Sequence, residues 1–200
     1  MILNKFFPTI IGLDVNNLHD SIQDKVVDRC YYLKKNVDSG GENWLSDNTY
    51  NTIGNHSVFD DAKFSDINNF VVSSVKNYCE QLQIKKDYID YTPIDSWFNI
   101  YQKGDYQEFH HHSNSVLSVV YFLKVGKNPA SIFFKNPYIS TVRIEYDNYT
   151  PDTYDRFSYQ PKAGMILIFR SHLEHSVEKQ VDDEDRISIA YNFRSNNART

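Results

Sequence analysis

The feature that most constrains this chain is a change of period near Tyr88. Before it, apolar residues recur at helical spacing. After it come "DSWFNIYQ", "SVLSVVYFLKV", "SIFFKN", "TVRIEYD", "RFSYQP", "GMILIFRS" and "RISIAYNFR", each short, rich in aromatic and β-branched residues, and bounded by turn-forming stretches. Helices followed by a run of strands predict an α+β chain whose second half is a sandwich or jelly roll. The expected organisation is one domain over residues 1–200, with helical support over about 1–87 and a jelly-roll core over about 88–195.

The helical part is specific. "HDSIQDKVVDRCYYLKKN" aligns Ile22, Val26, Val27, Cys30 and Leu33 on one stripe, with Asp20 or Ser21 as a cap and the stretch from Asn36 to Gly41 as a stop. "DINNFVVSSVKNYCEQLQI" does the same with Ile67, Val71, Val75, Tyr78 and Leu82. Between them, "NTYNTIGNHSVFDDAKF" is polar and turn-rich, and predicts a loop crossing the surface.

Composition narrows the function classes. A chain of 200 residues that is 40% hydrophobic and 15% aromatic is globular and long enough to bury a core. The net charge of -5 leaves no basic footprint for nucleic acid. No run approaches the length of a membrane span, and the opening "MILNKFFPTIIGLDV" lacks the pattern of a secretory leader. Cys30 and Cys79 have neither metal-ligand spacing nor a disulfide pattern, so a soluble, cytoplasmic protein is expected.

"EFHHHSNS", Glu108 to Ser115, carries three of the seven histidines. In extended backbone, residues two apart share a face, so His110 and His112 point one way and His111 the other. Two imidazoles on one face make half of a site for a first-row divalent metal, with a carboxylate or a third imidazole completing it. The alternative is a solvated polar turn. A sandwich-borne site needs its third ligand from a distant strand, and downstream an apolar strand leads into His172 and, after a short turn, His175.

On the last strand Arg186, Ser188, Ala190 and Asn192 share one face, and Ile187 and Ile189 the other. An arginine projecting into a pocket beside a serine suits a carboxylate, because its planar fork gives two parallel charge-assisted hydrogen bonds and the hydroxyl adds another. The alternative is a surface ion pair with Asp183 or Glu184. Asn192 and Asn99 are each placed either to touch a bound co-substrate or to satisfy backbone, and Trp97 and Tyr101 read as core.

With these residues in view, the chain resembles the iron(II)/2-oxoglutarate-dependent dioxygenases, and within them a small prolyl-hydroxylase-like subgroup found in bacteria and phages. The resemblance rests on "WFNIYQKG" (Trp97 to Gly104), "QEFHHH" (Gln107 to His112), "SVLSVVYF" (Ser115 to Phe122), "PKAGMILIF" (Pro161 to Phe169), "SHLEHSV" (Ser171 to Val177) and "RISIAYN" (Arg186 to Asn192), and extends to an opening "FPT" strand. It implies a double-stranded β-helix (jelly roll, cupin-like) with supporting N-terminal helices. It implies Fe(II) as cofactor, held by His110 and His175, and 2-oxoglutarate as co-substrate. Arg186 matches the arginine that grips the far carboxylate, with Ser188 beside it as in the family's Arg-x-Ser element. His112 falls where most of the superfamily has aspartate or glutamate. A third imidazole there would leave the metal more electrophilic and more dependent on an anionic co-substrate for charge balance; the other reading sets His112 off the metal, with water in its place.

The implied activity is hydroxylation of a peptide or small-molecule substrate by dioxygen, with 2-oxoglutarate converted to succinate and CO2. No nucleic-acid or membrane partner is implied, and neither the substrate nor the oligomeric state is readable. Two rival readings stand beside it. One is a cupin-like metal enzyme that does not use 2-oxoglutarate: Gly104 followed by His110 and His112 fits the start of a cupin motif, although the expected glutamate is missing and Arg186-x-Ser188 is unaccounted for. The other is a non-catalytic jelly-roll module, since the fold alone does not fix the role.

Overall fold

A computed structural model describes residues 1–40, 45, 49–138 and 144–196. In chain order the elements are β1 (Ile11–Val15), α1 (His19–Asn36), β2 (Tyr50–Asn51), a 3-10 turn (Ala62–Phe64), α2 (Ser65–Gln81), β3 (Asp95–Tyr101), β4 (Gln107–His110), β5 (Leu117–Lys124), β6 (Ile132–Lys135), β7 (Arg156–Tyr159), β8 (Met165–Arg170), β9 (His175–Val177) and β10 (Arg186–Phe193). They form a six-stranded sheet in the order β1-β8-β5-β10-β3-β2 and a four-stranded sheet in the order β4-β9-β6-β7. Every pairing is antiparallel. This is the double-stranded β-helix expected from the sequence.

Alternation along the central strands gives the large sheet two different faces. Phe98 and Ile100 of β3, Val119, Tyr121 and Leu123 of β5, Ile166 and Ile168 of β8, and Ile187, Ile189 and Tyr191 of β10 join the core that also holds Ile22, Val26, Cys30 and Leu33 of α1 and Ile67, Val71 and Val75 of α2. The helical stripes read from the sequence are therefore the surfaces that cover this sheet. On its other face Phe122, Met165, Leu167 and Phe169 pack with Ile132 and Phe134 of the small sheet and with Leu173. That second, narrower interior is where the polar residues of β3 and β10 point.

Gly164 makes the turn into β8 with φ +80°, and its amide bonds the carbonyl of Phe122 at 2.9 Å. A methyl group there would lie 2.9 Å from the side chain of His19, so the turn and the start of α1 are in direct contact.

Three expectations change. The part before Tyr88 is more than helical support, because β1 pairs with β8 and β2 with β3, placing both edges of the large sheet in it. The polar segment before α2 is not a surface loop: Tyr50, Asn51, Thr52, Val58 and Phe64 are buried. Its polarity is consumed by hydrogen bonds, from Asn51 Nδ2 to the Gly40 carbonyl, from the Phe98 amide to Thr52 Oγ1 and from Asn68 Nδ2 to the Val58 carbonyl. Of the candidate strand "TVRIEYD", residues 141–143 lie outside the described residues and Ile144–Asp147 are not in a strand.

Candidate active site

β4 carries a register shift between Gln107 and His110, so both residues face the interior although they are three apart. His110 is the cross-strand partner of His175 on β9. His112 lies just past the end of β4, where its amide bonds the Ser171 carbonyl at 2.9 Å and ties it to the end of β8. The ring centroids stand 4.2 Å apart for His110 and His175, and 5.2 Å for each with His112. One ring nitrogen from each lies within 4.8 Å of the others, a cluster able to hold a metal ion. It is the one group of three or more histidine, cysteine or acidic side chains with that capacity among the described residues, and it contains no carboxylate.

Two of the rings are oriented by backbone. His110 Nδ1 is 2.8 Å from the Glu108 carbonyl and His175 Nδ1 is 3.0 Å from the Leu173 carbonyl. A carbonyl only accepts, so each Nδ1 carries the proton and each Nε2 offers a lone pair. His112 differs: its Nδ1 faces the Asn192 amide nitrogen at 3.3 Å. Burial holds His175 well below the ordinary histidine value, with His110 beside it adding to the effect. Burial also lowers His110, and pushes His112 down to about 4 with help from His110 and His111. All three are therefore neutral imidazoles near pH 7. Phe169 and Phe134 wall His175 at 4.8 and 6.0 Å, and Trp97 stands 5.9 Å from His112.

Arg186 is fully buried, and Nε and both terminal nitrogens of its guanidinium have no hydrogen-bond partner. Its carbon lies 4.8 Å from the centre of the Tyr101 ring and 5.2 Å from that of Phe122. Burial lowers its pKa, opposed by Tyr101, yet a guanidinium remains a cation. The surface ion pair considered for it is not formed, and Asp183 bonds Lys103 at 2.8 Å instead. A buried cation with its donors unspent is a receptor for an anion.

Ser188 is buried one step along the same face, opposite Asn99 and Phe122. Asn192 shares that face but, six residues from Arg186, sits about 20 Å along the strand, beside His112. Asn99 accepts from Trp97 Nε1 at 3.2 Å. His111 and His172 are exposed, and His19 bonds the Tyr121 hydroxyl on the helical side of the sheet. The sequence reading missed Tyr101 as a wall of the arginine pocket. Alternation in "WFNIY" was the available signal, since it sets Trp97, Asn99 and Tyr101 on one face, opposite Ala190, Ser188 and Arg186.

Residues 95–192 match the family described as "Putative 2OG-Fe(II) oxygenase". No curated protein matches by sequence. Among solved structures, a Pseudomonas putida prolyl-4-hydroxylase is similar with a TM-score of 0.66 and 13% identity, over 93% of each chain. A Trichoplax adhaerens prolyl hydroxylase in complex with a hypoxia inducible factor peptide has a TM-score of 0.64 and 14% identity, over 92% of this chain and 83% of that one. HygX from Streptomyces hygroscopicus, with nickel, 2-oxoglutarate and hygromycin B bound, has a TM-score of 0.65 and 9% identity, over 94% and 84%. These likenesses establish the shared fold. The family match spans all three clustered histidines, Arg186, Ser188 and Asn192, and over that stretch the chain matches the 2OG-Fe(II) oxygenases.

Proposed function

We propose that the chain is an Fe(II)- and 2-oxoglutarate-dependent dioxygenase in which His110, His112 and His175 hold the iron. In this reading Arg186 anchors the far carboxylate of 2-oxoglutarate, with Ser188 beside it and Tyr101 and Phe122 as walls. The observation that carries it is the unpartnered Arg186 guanidinium, buried in the interior that also holds three converging neutral imidazoles.

The donor set fits the cofactors. Imidazole nitrogens suit iron(II). Three neutral ligands leave the full divalent charge in place, and Arg186 adds a further positive charge. A dicarboxylate dianion compensates most of that sum, whereas a neutral co-substrate would leave it buried. The same argument disfavours a cupin-like enzyme that does without 2-oxoglutarate, because it gives Arg186 no partner.

When bound, the iron and 2-oxoglutarate supply the oxidising power, with dioxygen consumed, succinate and CO2 released and the substrate hydroxylated. The chain supplies geometry. The Glu108 and Leu173 carbonyls fix the rings of His110 and His175. Phe134, Phe169 and Trp97 exclude water from the imidazoles, and Arg186 sets the depth at which the co-substrate lies. The substrate is an unidentified peptide or small molecule, since relatives with this fold hold a peptide in one case and hygromycin B in another. The free, buried Cys30 and Cys79 fit a reducing compartment, and we place the protein in the cytoplasm. No helix among the described residues is long and apolar enough to cross a membrane.

The test is an anaerobic iron(II) titration with 2-oxoglutarate, following the weak visible charge-transfer band of the chelate. The wild-type protein is expected to develop the band, and His110→Ala, His175→Ala and Arg186→Ala to lose most of it. A wild-type protein that gives neither band nor succinate overturns the reading.

A further inference from the structure

We propose that Asn192 is a positioning residue whose carboxamide selects the tautomer of His112, and so decides whether that imidazole can ligate the metal. The inference rests on the iron site proposed above and concerns its least orthodox member.

The observation is a difference among the three rings. His110 and His175 present Nδ1 to backbone carbonyls, which leaves Nε2 bare. His112 presents Nδ1 to the Asn192 Nδ2 at 3.3 Å. An amide nitrogen only donates, so in this arrangement Nδ1 accepts and the proton sits on Nε2, where it blocks ligation through that atom. Behind Asn192 lies a short hydroxyl chain: Ser118 Oγ is 2.8 Å from Asn192 Oδ1 and 2.9 Å from Ser171 Oγ. Both serines are buried.

The carboxamide has two orientations that satisfy it in this setting. In one state Ser118 donates to Asn192 Oδ1 and the amide nitrogen donates to His112 Nδ1. In the other the carboxamide is turned over, so Oδ1 accepts from His112 Nδ1–H, the amide nitrogen donates to Ser118, and Ser118 donates to Ser171. A hydroxyl both donates and accepts, so the carboxamide keeps both of its hydrogen bonds in either state. The imidazole stays neutral overall, with Nε2 losing a proton to solvent and Nδ1 gaining one. A metal at Nε2 binds only the second state. The first state is that of the metal-free protein, and the equilibrium between them sets how completely a third imidazole replaces the usual carboxylate.

The test uses cobalt(II) as the probe, with its visible absorption reporting affinity and ligand number, and 15N–1H correlation of the imidazoles reporting tautomers. Asn192→Leu, which keeps the volume and removes both polar ends, is expected to weaken cobalt binding 10–100-fold. Asn192→Asp, which only accepts, is expected to bind at least as tightly as wild type. In a His112→Ala background Asn192→Leu is expected to add nothing, an outcome that a general packing role would not produce. Equal affinity for wild type, Asn192→Leu and Asn192→Asp overturns the proposal, as does a metal-loaded protein in which His112 Nε2 keeps its proton. If wild type binds no cobalt at all, the iron-site reading itself fails, and the two failures are thereby distinguished.

Discussion

Arg186 and Tyr101 are cross-strand partners, and the guanidinium carbon lies 4.8 Å from the centre of the tyrosine ring with no acceptor on any of its nitrogens. Stacking on an aromatic face offsets only part of the cost of burying a cation. The unliganded protein therefore carries a local instability that an anion relieves. Arg186→Met is expected to stabilise the unliganded protein by about 1–3 kcal/mol, raising Tm by roughly 2–10 °C, while abolishing the further stabilisation that 2-oxoglutarate gives the wild type. Thermal melts with and without 2-oxoglutarate check both halves. A variant that loses stability without ligand would mean that Arg186 has a partner within the fold.

His111 separates two residues of the candidate site yet is exposed, as is His172. Alanine at either position is expected to leave cobalt affinity within about twofold of wild type, since exposed substitutions away from a site rarely exceed ±0.5 kcal/mol. His110→Ala and His175→Ala remove a direct ligand. Each is expected to cost more than the roughly 100-fold that losing an outer hydrogen-bond partner costs. Equilibrium dialysis of the four variants ranks them.

How much of this was legible in the sequence follows from what each signal depends on. The stripes of α1 and α2 and the alternation of β3, β5, β8 and β10 are local periodicities, and they appear in the structure as read. The convergence of His110 with His175 rests on strand pairing across 65 positions, and only the resemblance to a known family pointed to it. Tyr101 was taken for core because its neighbours are aromatic, and Asn192 was placed with Arg186 because both share a face. A shared face says nothing of distance along the strand, and Asn192 is spent on His112. The segment of Tyr50 to Phe64 was misread because polarity resembles exposure when side-chain bonds to backbone are invisible.

The pH dependence has a definite sign. Burial lowers the folded-state values of His110, His112 and His175, the second to about 4. The unfolded chain therefore binds more protons than the folded one once pH falls below the ordinary histidine value of about 6.5. Stability of the metal-free protein is expected to be level above that value and to decline as pH drops from about 6.5 toward about 4, whereas metal affinity falls only as the lowered folded-state values are reached. In a His112→Ala variant the decline is expected to be shallower. Denaturant midpoints at successive pH values measure the slope; a rise in stability on acidification through this window contradicts the burial argument.

Gly164 tests the junction between the helical layer and the sheet without touching the site. Its φ of +80° lies in the left-handed region, and a Cβ there would meet His19 Cβ and Cγ at 2.9 Å each. Gly164→Ala thus combines backbone strain with a steric clash, and about 1–3 kcal/mol of destabilisation is expected. The clash is removable and the strain is not. In a His19→Gly background, which removes Cβ as well as the ring, the same substitution is expected to cost less, by the share that belongs to the side-chain contact, while retaining the share that belongs to φ. Chemical denaturation of the four proteins in this cycle separates the two. An unchanged cost in the His19→Gly background would assign the whole effect to the turn, and an absence of cost in both would mean that the chain entering β8 has another conformation available to it.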